Sequence, residues 1–135
     1  MVIPYLSFQG CCQEALESYV RIFGGRVLCL SRWTNASGGP ALDGKVMHME
    51  AEVSGGVISG ADQLEAPVRG NDIRLIVHCG TSQRAQECCD ELAEGGELLQ
   101  RLLPHPPPDD GGMGALVRDR YGYVWILTAP NDRKT

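Results

Sequence analysis

The chain has 135 residues, of which 43% are hydrophobic and 17 are glycine, and its formal net charge is −5. This acidic balance argues against a nucleic acid or an anionic membrane as a partner. The sequence has no apolar run near the roughly 20 residues of a membrane span and no secretion signal, so we predict a cytoplasmic protein. The length predicts one domain, which could be built from two small halves.

The six cysteines have two possible interpretations. Without a CxxC pair or a secretion signal, the sequence favours reduced thiols that pack as small apolar residues. The alternative is a soft-metal or arsenical site made by the two vicinal pairs, which requires a close approach of the two predicted helices that carry them. The six are Cys11, Cys12, Cys29, Cys79, Cys88 and Cys89.

The first third of the chain predicts strand, helix and strand. Residues 2–8 read as a strand, and apolar residues at helical spacing predict a helix over 12–23. Gly24-Gly25 ends this helix, because glycine accepts the backbone of a C-terminal cap. Residues 26–33 return as a strand, and the Gly/Pro/Asn-rich segment 34–44 is a predicted loop.

Residues 45–62 are predicted to form a hairpin that turns at Ser54-Gly55-Gly56. Pairing Val53 with Gly56 gives the hairpin an apolar face for a core and a polar face for water or a ligand. A three-residue turn would instead reverse the faces of the second strand. The apolar set is Met47, Met49, Ala51, Val53 and Ile58, and the polar set is His48, Glu50, Glu52, Val57 and Ser59.

The second half repeats the pattern after a linker over residues 63–71. It predicts a strand with Ile73, Leu75, Val77 and Cys79 on one face, and then a helix capped by Thr81 or Ser82. Gly95-Gly96 ends this helix as Gly24-Gly25 ends the first. This repetition indicates an internal duplication of a βαβββ unit. The remaining predicted elements are a strand over 98–103, a mobile loop over 105–112, and a hairpin over 113–128 that turns near Tyr121-Gly122.

Four stretches, PYLSFQG, EALESYVRIFGG, KVMHMEAEVSGG and RDRYGYVWIL, resemble the PhnB-like branch of the vicinal oxygen chelate superfamily. This superfamily holds glyoxalase I, bleomycin-resistance proteins and extradiol dioxygenases. The resemblance implies an α+β fold in which two βαβββ modules, about 1–62 and 72–130, form a curved mixed sheet. This sheet is an open cup with the helices on its convex side. The whole chain, 1–135, would be a single glyoxalase/bleomycin-resistance-like domain, and a homodimer is implied.

The resemblance also indicates where a metal would bind. Metal-dependent members place four His or Glu ligands in the cup, and these positions align with Pro4 or Tyr5, Ser59, Arg74 (Ile73 if the alignment slips by one) and Ile126. None of these is His or Glu, whereas a divalent cation needs about three good protein ligands. We therefore predict no metal site and no cofactor. The GGMG at 111–114 also departs from the Trp-Gly that is common in this branch.

The predicted ligand-binding residues are His48, Glu50, Ser59, Arg74 and Trp33. His48 and Glu50 lie two apart on one strand, so both could reach one ligand. The alternative is the polar face of a half-exposed sheet. Arg74 needs an anionic partner, which is either a substrate carboxylate or phosphoryl group, or else Glu50 or Glu52.

Three aromatic residues and two further histidines are also candidate ligand contacts. Trp33, Tyr123 and Trp125 could stack on a planar ligand, although such residues also form cores and dimer contacts. His78 and His105 are predicted to be solvated.

These residues predict a protein that binds a small anionic or aromatic molecule in its cup without a catalytic metal, and we name no catalytic residue. The alternative is a metal-dependent lyase, isomerase or dioxygenase with a rearranged site around His48 and Glu50. A third possibility is a structural or regulatory dimer whose cup has lost its ligand.

Overall fold

A computed structural model describes residues 1–133, in two compact units whose boundary lies between Val68 and Arg69. The first unit contains β1 (Tyr5–Phe8), α1 (Cys12–Phe23), β2 (Gly25–Arg32), α2 (Asn35–Gly38), β3 (Val46–Val53) and β4 (Gly56–Asp62). The second unit contains β5 (Leu75–His78), α3 (Ser82–Ala93), β6 (Glu97–Pro104), β7 (Gly112–Arg118) and β8 (Val124–Pro130). Within residues 1–133, no helix is long and apolar enough to cross a membrane.

Each unit is a four-stranded mixed sheet with one long helix against it. The strand orders are β1-β4-β3-β2 and β5-β8-β7-β6, so the two sheets have the same topology. In each, the first strand is parallel to the last, and the other pairs are antiparallel. The predicted α+β fold and the duplication of a βαβββ unit are therefore confirmed.

The core of each unit lies between the helix and one face of its sheet. In the first unit, α1 buries the predicted helical stripe against β3, β2 and β4. Burying a large apolar side chain contributes roughly 1.5–3 kcal/mol, so this layer is the main source of stability. The fully buried side chains include Phe8, Leu16, Tyr19 and Met49 in the first unit, and Val117, Trp125 and Leu127 in the second.

Glycine is required where each long helix passes into the next strand. A Cβ on Gly25 would lie 1.8 Å from the carbonyl oxygen of Glu52, and the φ of Gly25 is +143°. A Cβ on Gly96 would lie 2.2 Å from the carbonyl oxygen of Arg118. Both glycines belong to the Gly-Gly pairs of the repeat, so the duplicated motif preserves a close backbone crossing.

A buried carboxylate ties the first unit together. Asp62 is 3% exposed and accepts hydrogen bonds from three backbone N–H groups. Gly10 and Cys12 donate to its Oδ1 at 2.9 and 3.0 Å, and Val46 donates to its Oδ2 at 2.9 Å. These bonds satisfy donors at the start of α1 and of β3, which would otherwise be buried without partners.

Three predicted boundaries are corrected. β1 starts at Tyr5 rather than at Val2, which is almost fully exposed. β5 starts at Leu75, so Ile73 and Arg74 precede the strand, and Ile73 is 88% exposed. The predicted loop over 34–44 contains the short helix α2, because Thr34 and Ser37 form a reciprocal capping box.

The hairpin register is confirmed, with one exception. Val53 pairs with Gly56 and Glu50 with Ser59, as predicted. The prediction that Met47 faces the core is wrong: Met47 is 38% exposed, and Val46 is buried instead. The cause is a β-bulge, because Ser31 pairs with His48 and Arg32 pairs with Val46, which leaves Met47 as the extra residue.

Candidate functional site

Polar side chains form a row on the face of the first sheet that points away from α1, here called the open face. The strand register pairs Cys29 of β2 with Glu50 of β3, Glu50 with Ser59 of β4, and Ser59 with Tyr5 of β1. Paired residues share a face, so these four side chains cross the sheet from edge to edge. Three of the predicted ligand-binding residues, His48, Glu50 and Ser59, are therefore brought together.

His48 and Glu50 are hydrogen-bonded to each other on this face. The distance from His48 Nε2 to Glu50 Oε1 is 3.2 Å, and the two side chains are 40% and 34% exposed. The Tyr5 ring is stacked on the imidazole, with 6.0 Å between ring centroids and 25° between planes. A carboxylate and an aromatic ring thus orient a solvent-accessible imidazole, an arrangement suited to binding a ligand or transferring a proton.

Cys29 is the site residue that the sequence analysis missed. Its Sγ, a ring nitrogen of His48 and a carboxylate oxygen of Glu50 all lie within 4.8 Å of one another. A regular ladder continuing from the Val27–Ala51 pair would place Leu28 opposite Glu50. A bulge at Leu28 shifts the register by one residue and places Cys29 there instead. Alternation along β2 could not reveal this, because the bulge has no clear signal in the residues 26–32.

Ser59 and Trp33 occupy more enclosed places. Ser59 is 4% exposed, and its backbone N–H donates to the carbonyl of Pro4. Trp33 follows β2 and donates from its indole Nε1 to the backbone oxygen of Asp62, at 3.3 Å. A Cβ on Gly38 would lie 2.9 Å from the Trp33 ring, so this ring packs closely on α2.

Arg74 belongs to the second unit, immediately before β5. It is exposed, and its Nε donates to the carbonyl of Asn71 at 3.0 Å. The two glutamates named as its alternative partners have partners inside the first unit: Glu50 is hydrogen-bonded to His48, and Glu52 forms an ion pair with Arg26 at 3.3 Å.

His105 was predicted to be solvated and is only partly exposed. It is half-buried, and a Cβ added to Gly114 would lie 2.8 Å from its Cε1. The absence of side chains at the glycines of the GGMG stretch therefore leaves room for the imidazole to pack on β7. His78 is exposed, in agreement with the prediction, and is hydrogen-bonded to Thr128 Oγ1 at 2.5 Å.

The other aromatic residues of the second unit have different environments. Trp125 is a core residue, 1% exposed, whose indole donates to Asp119 Oδ2 at 2.9 Å. Tyr123 lies under the guanidinium of Arg69, whose Cζ is 4.1 Å from the ring centroid. Trp125 is thus unavailable for stacking on a ligand in this structure, whereas Tyr123 already stacks on a cation.

The buried cysteines are poor nucleophiles. Burial raises the pKa of Cys12 to about 12, and of both Cys88 and Cys89 to about 11. The predicted vicinal pairs lie in different units. In the described part of the chain, Cys29, His48 and Glu50 are the one group of three or more His, Cys, Asp or Glu donors that converges.

The side chains at the family's four metal positions do not fit a divalent cation. Tyr5 stacks on His48, Ser59 contributes at most a buried hydroxyl, Arg74 is a cation, and Ile126 has no donor atom. Metal ions are held by imidazole, thiolate and carboxylate groups, which all four positions lack. No chemical step is therefore assigned to a metal at those positions.

Comparisons with known proteins identify relatives of the whole chain. Residues 1–128 match the sequence model of a family described as 3-demethylubiquinone-9 3-methyltransferase. A PhnB protein from Bacillus cereus is 24% identical, covers 95% of this chain and 98% of its own, and superposes with a TM-score of 0.82. At this identity the superposition shows a shared fold.

Two further matches have either a lower identity or a lower coverage. The fosfomycin resistance protein FosX from Listeria monocytogenes, solved with Mn(II) and a sulfate ion, has a TM-score of 0.64 at 13% identity. The match covers 98% of this chain and 93% of that chain. Human Rho guanine nucleotide exchange factor 6 is 27% identical over 89 residues, which is 62% of this chain and 11% of that protein. The chain thus spans about a tenth of the length of this curated relative.

Proposed function

The chain belongs to the 3-demethylubiquinone-9 3-methyltransferase family, in the PhnB-like branch of the vicinal oxygen chelate superfamily, and on this basis we propose that it binds a small anionic or aromatic molecule. Binding takes place without a catalytic metal at the four positions of the metal-dependent members. On the first unit the ligand contacts that we propose are His48, Glu50, Ser59 and Trp33, with His48 as the central one. Arg74 is the proposed contact on the second unit.

The observation that carries this proposal is the orientation of His48 on the open face. A histidine that only fills space in a sheet needs neither a carboxylate at 3.2 Å nor a ring stacked upon it. Held by Glu50 and Tyr5, the imidazole has one preferred direction, which lowers the entropy lost when a ligand binds. It can donate to a ligand oxygen when protonated, and the Tyr5 ring can extend the contact to an aromatic group.

Arg74 is the proposed anchor for an anion. A guanidinium has five N–H donors in a planar fork, of which the described bond to Asn71 uses the one on Nε. A charge-assisted bidentate contact to a carboxylate or phosphonate contributes roughly 1.5–3 kcal/mol. In this proposal, residues 1–135 act as a single cytoplasmic domain, and two chains form a homodimer.

The methyl transfer named in the family's description is not part of the proposal. It requires a bound methyl donor in addition to an acceptor.

A thermal-shift screen of chelator-treated protein tests the proposal. The panel contains small carboxylates, phosphonates, planar aromatics and antibiotics. A ligand at 100 times its dissociation constant stabilises the folded state by about 2.7 kcal/mol, which is readily measured. The expected hits are anionic or aromatic, and they lose roughly tenfold or more in affinity in His48→Ala.

Arginine variants test the anchor. Arg74→Ala should weaken anionic hits about tenfold, and Arg74→Lys should recover part of the loss, because an ammonium lacks the planar fork. Arg101→Ala, which changes another exposed arginine of the second unit, is the control and should leave affinity unchanged. The proposed role of Arg74 would be refuted if all hits were cationic, or if anionic hits bound Arg74→Ala as tightly as wild type.

A second candidate is a metal-dependent lyase, isomerase or dioxygenase with a site around His48 and Glu50. The presence of Cys29 beside these two residues favours it, since three donors can hold a metal and leave a position for substrate. Turnover that requires added metal and disappears in Glu50→Gln would support this candidate over simple binding.

A further inference from the structure

We propose that Cys29, His48 and Glu50 form a binding site for a thiophilic divalent cation, with zinc as the preferred ion. This site lies at none of the four positions used by the metal-dependent members, and it differs from our prediction of a protein without a cofactor. The inference goes beyond ligand binding on the open face and does not depend on it.

The donor atoms are already close to a metal-binding arrangement. The three lie within 4.8 Å of one another, and His48 Nε2 and Glu50 Oε1 are 3.2 Å apart. In a tetrahedral zinc site with bonds of about 2.0–2.3 Å, ligand atoms are roughly 3.3–3.8 Å apart. Small side-chain rotations therefore suffice, and the ion would replace the hydrogen bond between His48 and Glu50.

The chemistry of the donors selects the ion. A sulfur, a nitrogen and a carboxylate oxygen match zinc, whereas magnesium and calcium prefer oxygen ligands alone. A thiolate and a carboxylate together carry two negative charges, which balance a divalent cation. Three protein ligands leave the fourth position open to water or to an anion from solution.

The backbone supports the site. His48 and Glu50 project from the same face of β3, and the bulge at Leu28 places Cys29 beside them on the neighbouring strand. Strands hold ligands more precisely than loops do. The Tyr5 ring stacked on His48 restricts the imidazole further. Cys29 is exposed and the other two are partly exposed, so an ion can enter directly from solvent.

Titration of reduced, chelator-treated protein with zinc chloride alone tests the proposal. Isothermal calorimetry should show one equivalent bound per chain. Affinity should fall at least tenfold in each of Cys29→Ser, His48→Ala and Glu50→Gln, while circular dichroism confirms that the variants fold. Matched controls are Cys11→Ser, a cysteine outside the cluster, and Glu52→Gln, which lies two residues from Glu50 on the same strand; neither should change affinity.

Cobalt(II) provides a measurement on the wild-type protein. A thiolate ligand gives a charge-transfer band that wild type should show and that alkylation of the exposed Cys29 should remove. The proposal is overturned by a stoichiometry well below one, by the absence of this band, or by loss of binding in Cys11→Ser instead of Cys29→Ser. None of these results would affect the thermal-shift screen, which uses metal-free protein.

Discussion

Replacing Asp62 tests whether its buried carboxylate holds the first unit together. In Asp62→Asn, the amide oxygen can keep either the two N–H donors of Gly10 and Cys12 or the single donor of Val46. The amide NH₂ then faces the remaining N–H, so at least one buried donor loses its partner. An unsatisfied buried donor costs about 1–3 kcal/mol, which is the expected loss in free energy of unfolding for Asp62→Asn.

Asp62→Ala removes all three acceptor contacts, and the same reasoning gives roughly 3–9 kcal/mol. This is a large part of a typical stability of about 5–15 kcal/mol. Urea unfolding followed by circular dichroism measures both variants, with the exposed Asp43→Asn as a control that should stay within about 0.5 kcal/mol of wild type. An Asp62→Asn variant as stable as the control, or equal losses for Asn and Ala, would refute this account of the carboxylate.

Four further predictions concern the backbone, pH, thiols and assembly. Gly25→Ala should lose more than about 3 kcal/mol in urea unfolding because its Cβ meets the Glu52 carbonyl, whereas Gly55→Ala, which meets nothing within 4 Å, should lose about 1 kcal/mol. Hydrogen bonds from Ser82 lower the pKa of Asp132 below 3.8, so this carboxylate adds stability at neutral pH that is lost as pH falls through the folded-state pKa. The Tm difference between wild type and Asp132→Asn should therefore vanish at low pH, and a difference that grows there would contradict this reasoning. Iodoacetamide at pH 8 should modify Cys29 well before Cys12, Cys88 and Cys89, as peptide mass spectrometry can show, since these three are buried with raised pKa values. Light scattering should give about twice the chain mass of 14.6 kDa, and a monomer at all micromolar concentrations would contradict the proposed dimer.

The features that the sequence predicted correctly are those with a strong local signal. The stripe over Cys12–Phe23 has a helical period, and Ser54-Gly55-Gly56 predicts a hairpin in which the pairing of Val53 with Gly56 is confirmed. The Gly-Gly pairs indicated the duplication. A pair recurs in each unit because the backbone of another strand passes so close to Gly25 and Gly96 that a Cβ would not fit there.

The features that it missed depend on bulges and long-range contacts. A bulge at Met47 turned this side chain towards solvent, and another at Leu28 placed Cys29 opposite Glu50. An extra residue in a strand reverses every later side chain, yet it is stabilised by the neighbouring strand rather than by its own sequence. The role of Asp62 was missed for a similar reason, because its three donors come from segments 16 to 52 residues away.

The central claim is that the functional surface of the first unit is its open face around His48. Backbone NMR of ¹⁵N-labelled, metal-free protein tests this directly, using the tightest-binding carboxylate or phosphonate from the screen. We expect the largest shift changes in the first unit at the amides of Tyr5, Cys29, His48, Glu50 and Ser59. Changes that instead concentrate on the outer surface of α1, with His48 and its neighbours unaffected, would contradict the claim.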